Sequence, residues 1–576
     1  MNTPKYIVLF FAVHISLAVT QATENPDKGN ADLILSNGQI KTSSGWVSAM
    51  AVDMGIIVAL GDDDSIASLG GVNTQLIDLK GDTVLPGIHD SHVHPLFAGM
   101  EHFECGFSAG AGPDEIAKTI SACVIEKSPG EWVFGGNWVA AAFKPGQQNR
   151  QFLDELAPNN PILLNDEAHH SIWVNSKALE LAGITRDTED PPAGIIERDA
   201  VGEATGLLRE SAALLVTNTI PAASEALRRK ALIYASREML SHGITAFTVA
   251  SVRDVDMKPL ADLSREGLIK QRIRGCIVWE PGPSPTNNMG ESLIRKRAAY
   301  TSDRFSPDCV KIFLDGVPTE SHTAAMLEPY IDNDGNHAKP GFDSGFLIIP
   351  QVQLNRAVTQ FDRKGLHIKF HAAGDGAVRS ALIAVAKARK ENGMGGPFHH
   401  IGHSVFVSEQ DIPLARDINL SWEFSPYIWY PTPMASNDIL KAVGPQRMRR
   451  WVPIRDALDT GALVVAGSDW SVVPSVNPWL AMETMVTRQK PGGSVETLGV
   501  GQKISLEEAF TIMTHNGARL MGHRDKAGAI EVGMHADIFV TEKNPFTVPI
   551  IEVHKTRVKM TFIKGEKVFD ASIREK

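Results

Sequence analysis

Cysteine is scarce in this chain: four occur in 576 residues, Cys105, Cys123, Cys276 and Cys309. None belongs to a Cys-x-x-Cys pair, so neither a thiolate zinc site nor a disulfide framework organises the fold. Positive charge is not in excess either. Lys plus Arg is 56 against 67 Asp plus Glu, a formal net charge of −11, and no basic block stands out. Binding to nucleic acid through phosphate contacts is thereby excluded as the main activity. Long apolar runs are also missing, since no stretch reaches the ~18 uninterrupted apolar residues of a membrane span. The nearest is residues 6–19, YIVLFFAVHISLAV, behind Lys5. It has the length of a secretory signal's apolar region, with Thr20 and Ala22 at the −3 and −1 positions of a cleavage after Ala22. The expectation is a signal peptide over 1–22, with an uncleaved anchor as the alternative, a polar linker over Asn25–Asn30, and an exported protein, periplasmic or secreted, with no membrane contact after cleavage.

What is present suits a folded protein. Hydrophobic residues are 43% and charged residues 21%, which allows a sizeable core and excludes disorder as the main state. The length suits one large domain and something smaller. After the linker come short strand patterns, ADLILSNGQI, WVSAMAVDMGIIVAL and TQLIDL, punctuated by Asn37-Gly38, Gly61-Asp62 and Lys80-Gly81 turns. The C-terminus repeats that texture in AGAIEVGMHADIFV and VKMTFIKGEKVF. Each flank is too small to bury a core alone, so the two are expected to form one β-sandwich domain, residues 31–85 with 525–573.

The middle, 86–524, alternates apolar strand-like runs with helix-like segments. The runs are VLPGIHDSHVH, GITAFTVA, IRGCIVW, CVKIFLD, LHIKFH, FHHIGH, INLSWEF and ALVVAGSD. Strands alternating with helices imply a parallel sheet buried on both faces. Eight such units predict an α/β fold, a TIM-like (β/α)8 barrel with ~31 residues per unit.

Five places in these runs carry chemistry. In His92-Val93-His94, positions i and i+2 of a strand face one side, so both imidazoles reach one metal ion. Lys311 interrupts an apolar strand, where a cation is costly to bury. It either snorkels, pairs with Asp315, or is carboxylated by CO2 into an anion that bridges two metals. His371 ends LHIKFH, His403 ends FHHIGH, and Asp469 follows small residues in VVAGSDW. Alternation puts His399 and Ile401 on the face of His403, with His400 opposite; His367, His399 and His400 read as structural.

The spacing ties these residues together. His371 to His403 is 32 residues, one barrel step, and His403 to Asp469 is 66, two steps with INLSWEF between. Lys311 to His371 is 60, one step plus a loop supplied by 316–350. His94 to Lys311 is 217, three steps plus an insertion over about 100–215. The groups thus fall at the ends of strands 1, 4, 5, 6 and 8. Imidazole and carboxylate ligands suit zinc and similar divalent ions. Two ions bridged by hydroxide give a nucleophile at neutral pH, with Asp469 as the base that relays its proton. The substrate is then a small molecule and the enzyme a hydrolase. An amide-type, non-peptide carbon–nitrogen bond, an ester, a lactone and a phosphoester all fit that site. A binding protein with a vestigial site is the non-enzymatic alternative, and homo-oligomer formation stays open.

The motifs LPGIHDSHVHP, HHSIWVNSKALELAGI, KIFLDGVPTESHTAAMLEPY, FHAAGDGAV, HHIGHS, GSDWSVVPSVNPW and THNGARLMGH resemble the amidohydrolase superfamily, specifically the amidohydrolase-3 branch that includes N-substituted formamide deformylases. The likeness covers about 31–573. It implies a metal-dependent hydrolase acting on carbon–nitrogen bonds, with two divalent ions. His92 and His94 would hold the first, carboxylated Lys311 would bridge, His371 and His403 would hold the second, and Asp469 would be ligand and base. It further suggests that His170, ahead of Val174-Asn175-Ser176, covers the site and that Trp138 touches substrate. Ser425-Pro426 departs from the relatives' Gln-Pro, and Trp429 and Tyr430 make that loop aromatic. Trp138, His170, Trp429 and Tyr430 together suggest an aromatic or apolar group on the substrate. Glu320 and His322, in the loop after strand 4, are further candidates for reading polar groups on it.

Overall fold

Eight parallel strands surround the centre of the molecule. They are β1 (Ile88–Val93), β2 (Ile244–Val252), β3 (Arg272–Val278), β4 (Phe305–Phe313), β5 (His367–Ala372), β6 (His399–His403), β7 (Leu420–Phe424) and β8 (Leu463–Ala466), each hydrogen-bonded to the next in chain order. These come from a computed structural model describing residues 31–573 apart from 108–110, 145, 167–169, 193, 283–287, 320–321 and 332–343. The signal-like segment, the linker and Glu320 lie outside the described residues. Among the described residues no helix is long and apolar enough to cross a membrane.

The eight apolar runs become eight strands because both faces of each strand are covered. All nine residues of β2 are buried, which is why the run lacks the alternation of a half-exposed strand. Helices Gln351–Arg363 and Asp375–Asn392 show the complementary pattern. Leu354, Ala357, Val358 and Phe361 on the first, and Val378, Ala381, Leu382 and Val385 on the second, recur at three- and four-residue spacing and are buried. The ring closes just beyond β8. Val93 bridges Trp470 in parallel, Asp469 N donates to His92 O at 2.7 Å, and His94 N donates to Trp470 O at 2.7 Å. Gly467 makes that approach possible, since a Cβ there would sit 2.4 Å from His92 N.

Two further sheets pack against one another around an apolar core. A four-stranded sheet holds Leu33–Ser36, Ala49–Asp53, Ile56–Gly61 and Gln75–Asp78. A six-stranded sheet draws Gln39–Thr42, Gly45–Val47 and Thr83–Pro86 from the N-terminal side and Ile538–Thr541, Val558–Ile563 and Glu566–Asp570 from the C-terminal side. Leu35, Met50 and Ile57 of the first sheet meet Val84, Ile538 and Phe562 of the second. The run VLPGIHDSHVH is thus shared: Thr83–Pro86 belongs to this sheet and only Ile88 onward to the barrel. The chain turns at Gly87, where a Cβ would lie 2.1 Å from Thr245 Oγ1, and enters the barrel at Ile88.

Between β1 and β2 runs a third sheet, of six strands from Cys105–Gly106 to Ala204–Glu210. Its alternating residues feed two apolar clusters, with Leu164 in one and Leu163 in the other. The scarce cysteines pair locally. Cys105 bonds Cys123 in this inserted region, and Cys276 bonds Cys309 across β3 and β4. They staple single regions and do not link the sheets to one another.

Candidate metal centre

The C-terminal ends of the barrel strands open into a cavity of about 1140 Å³. His92, His94, Lys311, His371, His403 and Asp469 all line it. His92 is the fifth residue of β1 and His94 follows the strand, so the two imidazoles project to one side as alternation requires. Their ring centroids lie 5.4 Å apart, while His403 is 4.9 Å from His92 and 4.4 Å from His371. Asp469 Oδ1 stands 3.4 Å from His92 Nε2 and 3.2 Å from His94 Nε2, and its Oδ2 stands 3.5 Å from His403 Nδ1.

His403 arrives by an unexpected route. Strict alternation would turn it with His399, whose Nε2 meets Asp362 Oδ1 at 2.9 Å on the helix outside the barrel. Instead His403 and Ser404 take φ of 71° and 45°, a left-handed conformation that breaks the pleat and swings His403 into the cavity. Asp469, at φ 57°, does the same after β8. His367 and His400 point into packed surroundings. His367 Nδ1 meets Phe398 O at 2.8 Å, and His400 Nδ1 meets Glu423 at 2.5 Å.

Three of the cluster histidines have one ring nitrogen engaged by the protein, and in His92 and His94 the other faces Asp469. His92 Nδ1 meets Glu423 Oε1 at 2.5 Å, His94 Nδ1 meets Ser251 Oγ at 3.2 Å, and His371 Nε2 meets Gly316 O at 3.0 Å. With its proton on Nδ1 toward the carboxylate, His92 turns a lone pair at Nε2 toward Asp469. Both His92 Nε2 and Asp469 Oδ1 are buried without a hydrogen-bond partner. Two buried acceptors facing each other at 3.4 Å repel unless a cation lies between them, and nitrogen and carboxylate oxygen are the donors a zinc-like ion takes. The residues present therefore fit a divalent metal.

Electrostatics point the same way. Burial, helped by the neighbouring Lys369, pulls the Lys311 ammonium down to about 7. No carboxylate among the described residues pairs with it. Asp315 instead accepts the backbone N–H groups of Ala325, Ala373 and Gly374. Burial depresses His403 to about 4 and takes His92 and His371 well below the ordinary imidazole value. Burial alone would raise Asp469, but His92, His94 and His403 around it hold it well below the usual carboxylate range. Neutral imidazoles beside an ionised carboxylate are the ligand forms a cation requires.

The remaining candidates separate cleanly. His170 lines the cavity, its ring 5.9 Å from that of His371. Its Nδ1 meets Glu210 Oε2 at 2.9 Å; burial works against the charge on His170, yet Glu210 outweighs it and raises the group to about 9. Trp429 and Tyr430 also line the cavity. Trp138 does not. Only 1% exposed, it packs in the inserted region's own core and donates from Nε1 to Leu164 O at 3.0 Å, so its expected contact with substrate is corrected to a core role. His322 is likewise outside the lining residues and stacks on Tyr330, centroids 4.9 Å apart.

The sequence reading passed over the residues beneath the cluster. Asp90 Oδ1 accepts from His92 N at 3.0 Å and Ser468 N at 2.9 Å, clamping the end of β1 to the loop after β8. Burial raises Asp90 to about 6. Glu423 and Lys369 form a wholly buried ion pair across β7 and β5. The signal that singled out Lys311, a charge inside an apolar strand, was available for both.

Known proteins match along most of the chain. A model described as the amidohydrolase family matches residues 75–569. "Protein LONG AFTER FAR-RED 3" of Arabidopsis thaliana is 27% identical over 551 residues, spanning 94% of this chain and 92% of its own. The "N-substituted formamide deformylase" of Arthrobacter pascens is 24% identical over 554 residues, spanning 93% and 97%. Among solved structures, an uncharacterized metal-dependent hydrolase from Pyrococcus horikoshii superposes with a TM-score of 0.71 at 22% identity, over 90% of this chain and 99% of that one. With the family model matched over far more than half of its length, this chain belongs to the amidohydrolase family.

Proposed function

We propose that this protein is a metal-dependent hydrolase that cleaves an amide-type, non-peptide carbon–nitrogen bond in a small molecule bearing a bulky apolar group. The observation that carries the proposal is the facing pair of buried, partnerless acceptors, His92 Nε2 and Asp469 Oδ1, inside a ring of imidazoles. His92 and His94 would hold one ion and His371 and His403 a second. Lys311 would bridge them as its carboxylate, a form reached from the neutral amine that burial favours. Bound divalent ions supply Lewis-acid polarisation of the carbonyl and acidify water enough to attack at neutral pH.

The chain's own residues do the rest. Asp469 would accept the proton of the attacking water and return it to the departing nitrogen. His170, held by Glu210, stands over the same cavity next to His371. The walls above the cluster are apolar, with Phe97, Met100, Phe134, Leu163, Ile172 and Leu214 among them, and Trp429 and Tyr430 add aromatic surface. Such walls favour burial of an aromatic or aliphatic group. The formamide deformylase among the relatives supports the bond type, and the solved metal-dependent hydrolase supports the metal. The apolar run at 6–19 supports export.

The test is elemental analysis of full-length protein purified without chelators and with bicarbonate present, followed by a substrate panel. About two divalent ions per chain are expected, with N-substituted amides hydrolysed, activity lost to a chelator and restored by the ion. About one ion would remove the bridging Lys311 carboxylate. No ion after reloading would overturn the metal reading, and faster turnover of matched esters, lactones or phosphoesters would overturn the bond assignment.

A further inference from the structure

Barrel interiors are ordinarily filled by branched apolar side chains. The floor of this one, directly under the metal centre, is filled by charge. Glu423 is wholly buried, as are Lys369, His92 and His400 around it. Glu423 Oε1 accepts from His92 Nδ1 at 2.5 Å. Its Oε2 accepts from His400 Nδ1 at 2.5 Å and from Lys369 Nζ. Lys369 Nζ also donates at 3.0 Å to the carbonyl of Ser91, the residue before His92. Room for the group comes from β6, where Gly402 leaves a gap; a Cβ there would stand 3.0 Å from Glu423 Oε1 and 3.4 Å from His92 Nδ1.

A buried ion pair rarely stabilises a fold more than apolar residues of the same volume, so stability does not account for this arrangement. Its geometry does have a direction. Lys369 Nζ also lies 3.2 Å from His92 Nδ1, but the closer carboxylate oxygen keeps the proton on that nitrogen. With Nδ1–H pointed at Glu423, the ring plane is held and the lone pair on Nε2 is aimed up at Asp469.

We infer that Glu423 is a positioning residue for the metal centre, fixing the tautomer and orientation of His92, with Lys369 as the counter-ion that lets its carboxylate stay buried. The inference rests on the metal reading above. A carboxylate behind a ligating histidine raises its basicity, and losing such a partner commonly costs 10–100-fold in metal affinity.

The experiment is Zn²⁺ titration of the full chain against a chromogenic chelator, with the visible spectrum of Co²⁺-loaded protein as a second readout. Glu423→Gln keeps the shape and removes the charge. The double variant Glu423→Leu/Lys369→Met removes both charges together, so that no unpaired ion is left to unfold the barrel. Both are expected to raise the Zn²⁺ Kd by about 10–100-fold and to shift the Co²⁺ bands. His400→Phe disturbs the same floor without touching the Glu423–His92 bond, and is expected to keep the Kd within about threefold of wild type. Folded Glu423 variants that bind Zn²⁺ as tightly as wild type overturn the inference while leaving the metal reading intact. Equal losses from His400→Phe and the Glu423 variants also overturn it, making Glu423 a packing residue. Wild-type protein that binds no Zn²⁺ overturns the metal reading and the inference with it.

Discussion

The two-sheet core and the barrel floor are buried to the same degree but are built on opposite principles. In the sheet core Leu35, Val84, Ile538 and Phe562 are apolar, and none is more than 0% exposed. Each needs only neighbours of the right volume. On the barrel floor Asp90, His92, Lys369, His400 and Glu423 are no more exposed than 1%, and each depends on particular atoms of the others. Apolar burial is non-directional and scales with area. A buried charge is tolerable only with its partner in place. The sheet core can therefore vary without touching chemistry, whereas a change at the floor or the cluster above it alters ligand geometry first.

The sharpest break in that comparison lies at Asp469. Asp469→Asn keeps a side chain of the same shape and removes the proton acceptor. Turnover is expected to fall by about 10²–10⁴-fold, the range for a lost general base, with metal content retained and the unfolding transition little changed. Steady-state rates on a hydrolysed amide, beside elemental analysis of the same sample, check it. Full activity in the variant would remove Asp469 from the role of base.

The opposite case is Ile538→Ala. Ile538 is fully buried between the two sheets and pairs with both Pro86 and Phe562. Truncation is expected to cost about 2–5 kcal/mol of stability, the range for Leu or Ile to Ala in a core. Denaturant unfolding followed by fluorescence measures that loss, while metal content and KM should match wild type. A change in metal content would show that the sheets and the barrel floor are coupled.

What could be read from the sequence divides along the same line. The eight barrel strands were legible because two-sided burial leaves short runs without the alternation of a half-exposed strand, as in Ile244–Val252. The six cluster residues were legible because they stand near strand ends at barrel spacing, and the fold brings all of them to one cavity. Partnership was not legible. Glu423 and Lys369 are 54 residues apart on non-adjacent strands, and nothing local tells a lone buried charge that it has a mate. The turn of His403 was hidden too, since a left-handed residue ends the alternation that the pattern assumes. The division of VLPGIHDSHVH was hidden because one run serves two sheets, broken only by Gly87. The disulfide between Cys276 and Cys309 depends on the register of β3 against β4, and no sequence motif announces it.

Trp138 offers the finest test, because family likeness and structure assign it differently. As a substrate contact it would set KM. As found, its ring fills the inserted region's core beside Trp173 and Leu164, and its one polar atom donates to Leu164 O. Trp138→Phe keeps most of the apolar area and deletes that donor. The expected cost is about 1 kcal/mol for the one lost hydrogen bond, and more in total because the smaller ring leaves a cavity in a packed core. The neighbour Val139, which does line the cavity, stays in place, so kcat and KM should both hold. A KM raised severalfold with unchanged stability would return Trp138 to the substrate and show that the inserted region's core reaches into the site, which would erase the distinction between volume-filled and partner-filled regions on that side of the barrel.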